Sequence, residues 1–217
     1  MTEPGATDAD GYGPIEFQSN FGVSRETIDR IDTVLACLRN WNATHNLVGR
    51  LELTRLWRRH VADSYQLWAL RQGDNGAWVD LGSGSGFPGL ILACAGAGTD
   101  CSFSLVESNH KKASFLRYAA RSAGLNVVVH AERIENVPRE TYKYVTSRAL
   151  APFRQLLDYG AKFLGDGGSC LFLKGRDASI EVEDARSDWA FDLEVRPSQT
   201  GSDGQILIVR NLIRRTI

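Results

Sequence analysis

The sequence predicts an α/β fold: a mainly parallel sheet with helices on both faces, preceded by an N-terminal helical segment. Two observations carry this. From Ala77 onward, short apolar runs alternate with helical patterns, the mark of strand-helix-strand units. The first run, Ala77-Trp78-Val79-Asp80-Leu81, passes straight into glycines at 82, 84, 86 and 89 and then into the helix formers Leu90 to Ala95. A strand, a glycine turn and a helix in that order receive a nucleotide-like ligand across the end of a parallel sheet.

Each element has its own signal. Residues 1–20, rich in Gly, Asp, Pro and Thr, read as a loose leader. Residues 21–74 read as the helical segment. Ser24 is an N-cap candidate, and Ile28, Ile31, Val34, Leu35 and Leu38 recur at helical spacing to about Trp41, before a turn over Asn42 to Asn46. Leu51 to Leu70 reads as more helix, apolar at Leu53, Leu56, Trp57, Val61, Tyr65 and Trp68. Residues 75–217 form the sheet domain. After the first strand come Ser102 to Val106, a helix capped by Asn109 and stopped at Gly124, a short strand at Asn126 to His130, and a fourth at Tyr142 to Thr146. An amphipathic helix with Leu156, Leu157 and Phe163 follows, then a turn at Gly165 to Gly168 and a strand to Leu173. Trp189 to Val195 and Gln205 to Leu212, around Pro-Ser-Gln-Thr-Gly-Ser-Asp-Gly, read as an edge hairpin.

Composition narrows the function. The 217 residues suffice for one α/β domain with a helical appendage, and a formal charge of −1 gives no global footprint for nucleic acid, so any such binding uses local patches. Cys37, Cys94, Cys101 and Cys170 lack metal or C-x-x-C spacing and read as reduced, buried thiols; the histidines form no ligand pattern, and no metal is expected. Met1 to Glu16 carries Glu3, Asp8, Asp10 and Glu16 and neither Lys nor Arg, unlike a secretory or transit peptide, and no apolar run is long enough to span a bilayer. A cytoplasmic monomer is expected.

The residues after each strand carry the chemistry. Gly84-Ser-Gly86-Phe-Pro-Gly89 formally matches a dinucleotide fingerprint, and a purely structural turn is also open. Asp80 would set a carboxylate near the pyrophosphate, and Pro88 removes an amide donor from the first turn. S-adenosylmethionine (AdoMet), with a sulfonium, an ammonium and no phosphate, suits Asp80 better, and Asp-x-Gly-x-Gly-x-Gly resembles the first motif of Rossmann-like class I AdoMet-dependent methyltransferases. Asp80, Gly82, Ser83, Gly84 and Phe87 are therefore expected to contact the cofactor, Glu107 to meet its ribose hydroxyls, and Ile134 and Glu135 its adenine. Arg148, after the fourth strand, would face the reacting methyl group. The Asn/Asp-Pro-Pro-aromatic loop of many amine methylases is absent there, and no cysteine nucleophile stands near. An acceptor with a free lone pair, such as guanine N7, needs only positioning and electrostatics.

Further motifs occur in order: Trp41-Asn42-x-x-x-Asn46-Leu47-Val48, Arg59-His60-x-x-Asp63-Ser64, the glycine loop, Glu107-Ser-x-x-Lys111-Lys112-x-x-Phe115-Leu116, Ser147-Arg148-Ala149 and Leu173-Lys174-Gly175. Over roughly residues 24–212 the combination resembles the bacterial RsmG family, also called GidB or glucose-inhibited division protein B. The resemblance implies methylation of N7 of one guanine in 16S rRNA near the decoding site; the near-zero charge, which leaves naked RNA weakly bound, makes the assembled or partly assembled small subunit the expected partner. It matches Gly82, Phe87, Ile134, Glu135 and Arg148 to the family's AdoMet contacts. Arg58, Arg59, Lys111, Lys112 and Lys174 are the leading RNA contacts, against the alternative that they only form solvated faces. His60 and Asp63, one helical turn apart, fit either an active-site pair or a buried structural pair, the latter slightly preferred. Rival readings are a methyltransferase for a small molecule or protein, and a cofactor-sensing assembly factor without turnover.

Overall fold

Branched and aromatic runs bounded by glycine form strands here because both faces of the sheet are covered, so continuous apolar sequence is satisfied on either side. In the computed structural model, which describes residues 7–71, 73, 75–201 and 203–215, seven strands lie in the order β3-β2-β1-β4-β5-β7-β6. β1 (Ala77–Leu81), β2 (Ser102–Val106), β3 (Val127–His130), β4 (Tyr142–Arg148) and β5 (Leu164–Lys174) run parallel. β6 (Trp189–Pro197) and β7 (Gln205–Arg214) add the expected antiparallel hairpin, with β7 paired to β5. The chain reverses direction across the sheet between β1 and β4, which opens a crevice at their carboxyl ends.

Two hydrophobic layers hold the sheet. On one face Trp78, Phe103 and Leu105 pack under α4 (Gly89–Ala95), α5 (His110–Ser122) and α2 (Arg25–His45). On the other, Val145 and Phe172 meet α6 (Phe153–Phe163) and α7 (Ala178–Ala185). The N-terminal segment is thus part of the first layer, sharing its core with the sheet.

Four expectations need correction. The leader is helical over α1 (Pro14–Phe21), which starts on a proline and buries Phe17 against Trp57 and Tyr65; the anchors Tyr12 and Phe17 are too sparse in polar sequence to give a periodic signal. Helix α2 continues through Asn42, whose Oδ1 accepts from the Val48 amide, and stops at Asn46 in left-handed conformation (φ 46°). Leu51 to Leu70 is not one regular helix. It comprises a 3₁₀ turn at Glu52–Thr54, a π-helical turn at Trp57–Ala62, the short α3 (Asp63–Tyr65) and a 3₁₀ turn at Trp68–Leu70. Leu56, Trp57, His60, Val61, Ala62, Ser64, Leu67 and Trp68 are all buried, a face wider than one regular helical stripe, so the pitch changes along it. Finally, Gly165 to Gly168 lies inside β5, beside a bulge against β4, and α7 was not expected because it buries mainly small side chains, Ala178 and Ala185, with Val182. No helix among the described residues is long and apolar enough to cross a membrane.

Candidate active site

At the end of β1 the chain turns on Gly82, whose φ of 68° and close approach to Leu150 exclude a side chain; a Cβ there would lie 2.5 Å from the Leu150 Cδ1. The following amides are committed. Gly84 N donates to Glu107 Oε2 at 2.9 Å, and Gly89 N to Asp80 Oδ2 at 3.1 Å. Ser83 Oγ donates to the Asp80 carbonyl. Asp80 is therefore the one expected cofactor contact that the structure moves elsewhere. It is 2 % exposed and does not line the ligand cavity, because its other oxygen accepts from Thr146 Oγ1 on β4 and the carboxylate lies beneath the loop. Burial pushes its pKa up to about 6, partly offset by hydrogen bonds from Ser83, Thr146 and Gly89.

A cavity of about 460 Å³ opens at the crevice between β1 and β4. Gly82, Ser83, Gly84, Phe87, Glu107, Ile134, Glu135 and Arg148 all line it. A dinucleotide fits poorly: carboxylates already take the Gly84 and Gly89 amides, and Glu107, Glu132 and Glu135 stand in the wall. AdoMet fits, since those acids suit a cationic ligand with a diol. Sequence reasoning missed Leu47, Gln155 and Tyr159. Tyr159 donates to Glu135 Oε1 at 2.8 Å and accepts from Gln155 Nε2; their i, i+4 spacing on α6 is the sole sequence signal, and an ordinary one.

A second cavity, about 560 Å³, adjoins the first and shares Arg148 and Ala149 with it. Its walls include Glu52, Arg59, His60, Asp63 and Lys174 and the turn between β6 and β7. Arg148, the last residue of β4, reaches into the N-terminal segment: its guanidinium donates to the Arg59 carbonyl (2.9 Å) and to His60 Nδ1, and lies 3.7 Å from Asp63 Oδ2. His60 Nε2 donates in turn to Glu52 Oε2 at 2.7 Å, and its ring lies against Phe87, tilted by 32° with centroids 4.8 Å apart. Burial, then the neighbouring Arg148, lowers the His60 pKa to about 4, so the ring is neutral at pH 7. Asp63 Oδ1 accepts from Ser198, Thr200 and Gln66. His60 and Asp63 both join the helical segment to the sheet through Arg148, and both stand in the wall of the second cavity.

The basic residues divide. Arg59 and Lys174 line the second cavity and Lys112 the first. Lys174 also pairs with Glu181 at 2.7 Å. Lys111 is exposed in the first turn of α5, outside both cavities. Arg58 points away from them: ordering of the leader gives it Asp10 as an ion-pair partner at 2.7 Å and the Tyr12 ring beneath it. Among the described residues no cluster of His, Cys, Asp and Glu is arranged to hold a metal.

Solved structures repeat this architecture. A Bacillus cereus O-methyltransferase in complex with SAH superposes with a TM-score of 0.57 at 16% identity, over 89% of this chain and 95% of its own. A ribosomal protein L11 methylase from Lactobacillus delbrueckii subsp. bulgaricus gives 0.57 at 14% identity, over 75% and 80%. The fold is that of the class I AdoMet-dependent methyltransferases. Sequence comparison narrows the class. Curated relatives include the Ribosomal RNA small subunit methyltransferase G of Rhodospirillum centenum, 44% identical over 95% of this chain and 94% of its own length, and that of Methylorubrum populi, 45% identical over 88% and 92%. The model of the GidB family, rRNA small subunit methyltransferase G, matches residues 27–208, and the chain belongs to that family.

Proposed function

We propose that this protein transfers a methyl group from AdoMet to N7 of one guanine in 16S rRNA, acting in the cytoplasm as a monomer on the small ribosomal subunit or its precursor. The observation that carries the reading is the junction at Arg148, where a carboxylate-lined cofactor cavity meets a second cavity walled by Arg59 and Lys174. AdoMet, when bound, supplies a methyl group made electrophilic by its sulfonium. Gly82, Glu107 and Ile134 hold and orient it, and the second cavity takes the unstacked purine.

Guanine N7 carries an in-plane lone pair and no proton, so the chain has no base to provide. Neutral His60, occupied at both ring nitrogens, is accordingly not poised as one. Arg148 donors at the junction suit the 6-oxo group beside N7 and reject the 6-amino group of adenine. The carboxylates of Glu52 and Asp63 favour the cationic purine that forms. With labelled AdoMet and small subunits from cells lacking this gene, the wild type places one N7-methylguanine, and Arg148→Ala lowers kcat by about 10²-fold or more. AdoMet binding by calorimetry without any transfer would favour a sensing factor instead, and equal methylation of a short naked hairpin would remove the subunit as substrate.

A further inference from the structure

Arg148 ends β4 with a long, flexible side chain, and the following residue, Ala149, leaves in left-handed conformation (φ 51°). An arginine in that place has many rotamers open to it and points nowhere by itself. The two acceptors of its guanidinium, the Arg59 carbonyl and His60 Nδ1, lie on the π-helical turn, and its ion pair with Asp63 lies on the next residue after that turn. The wide turn is thus used to grip one guanidinium, in keeping with the frequent placement of such turns at functional sites.

The grip depends on one tautomer. His60 accepts from Arg148 at Nδ1 only while its proton is on Nε2, and Glu52 Oε2, 2.7 Å from Nε2, keeps it there. Glu52, His60 and Arg148 form a carboxylate-imidazole-guanidinium chain from the N-terminal segment to the junction of the cavities. Phe87 of the glycine loop lies against the imidazole and 5.5 Å from the Arg148 guanidinium carbon, which ties the chain to the cofactor loop. The charged groups facing His60 are Arg148, Glu52 and Asp63.

We propose that His60 is a positioning residue for methyl transfer: its Nδ1, held as an acceptor by Glu52, fixes the direction of Arg148, so that the N-terminal segment completes a site the sheet alone leaves unfinished. This rests on the reading of the junction as the place of transfer. The test measures kcat, KM for unmodified small subunits and AdoMet affinity by calorimetry for the wild type, Arg148→Ala, His60→Leu and His60→Asn, with nitrogen-15 NMR of the imidazoles in the full-length protein. His60→Leu, which keeps bulk and removes the acceptor, lowers kcat about 10²-fold, the cost of a misplacement near 1 Å, while AdoMet affinity and KM stay within about threefold. His60→Asn sets an amide oxygen where Nδ1 stood and restores kcat at least about tenfold over His60→Leu. The wild-type spectrum shows an unprotonated Nδ1 on His60 whose resonance moves in Arg148→Ala.

Full kcat in His60→Leu, equal losses in the Leu and Asn variants, or a protonated Nδ1 in the wild type would each overturn the proposal, and the spectrum decides where a variant does not fold. If the wild type transfers no methyl group, or Arg148→Ala transfers as well as the wild type, the reading of the junction fails first and takes this proposal with it.

Discussion

Asp80 and His60 are two buried groups that titrate in opposite senses. The folded-state pKa of Asp80 is raised from 3.8 to about 6, so its contribution to stability is fully present below pH 3.8 and is lost as pH rises through 6; at about 1.4 kcal/mol per pH unit this is roughly 3 kcal/mol. That of His60 is lowered from 6.5 to about 4, so its contribution is present above pH 6.5 and is lost as pH falls through 4. Between pH 4 and 6 the two oppose each other. Asp80→Asn removes one side of the balance, and its urea midpoint falls more steeply than that of the wild type on acidification from pH 6 to 4; parallel curves would show that Asp80 ionises normally. The acid of the glycine motif was legible as a residue, but its direction was not. Strand alternation assigns Asp80 to a face, and only the return of the Gly89 amide at the start of α4 shows that the carboxylate secures the loop.

At the scale of elements, what was legible followed from apolar continuity. The strands, α5 with its Asn109 cap and the edge hairpin were read because glycine and periodicity bound them. The π-helical turn was not, since the same apolar residues fit a regular helix and the change of pitch is decided by what packs on each side. One external contact is Asp8, whose two oxygens accept from the Trp57 amide at 3.0 Å and the Arg58 amide at 2.8 Å at the start of the turn. Asp8→Ala therefore lowers stability by about 1–2 kcal/mol, as loss of a capping carboxylate does. Hydrogen exchange should show residues 57–62 opening before the sheet; a uniform rise across the protein would mean that Asp8 supports the fold generally and not this turn.

For the whole molecule, a formal charge of −1 supplies no general attraction for RNA, so the proposed function requires local contacts, with Arg59 and Lys174 in the wall of the second cavity as the candidates. Arg59→Ala separates two contributions, because the carbonyl that holds Arg148 belongs to the backbone and survives the substitution. It should raise KM for small subunits several-fold, reduce the salt slope of binding by about one and leave AdoMet affinity unchanged; an unaltered slope would place the Arg59 side chain off the RNA. The carboxylates seated on the loop amides matter for the same substrate. A glycine turn with vacant amides is a receptor for phosphate, and the proposed substrate is itself a polyphosphate. With Asp80 and Glu107 already seated on them, the Gly89 and Gly84 amides are closed to any phosphate, that of an RNA backbone as much as that of a dinucleotide.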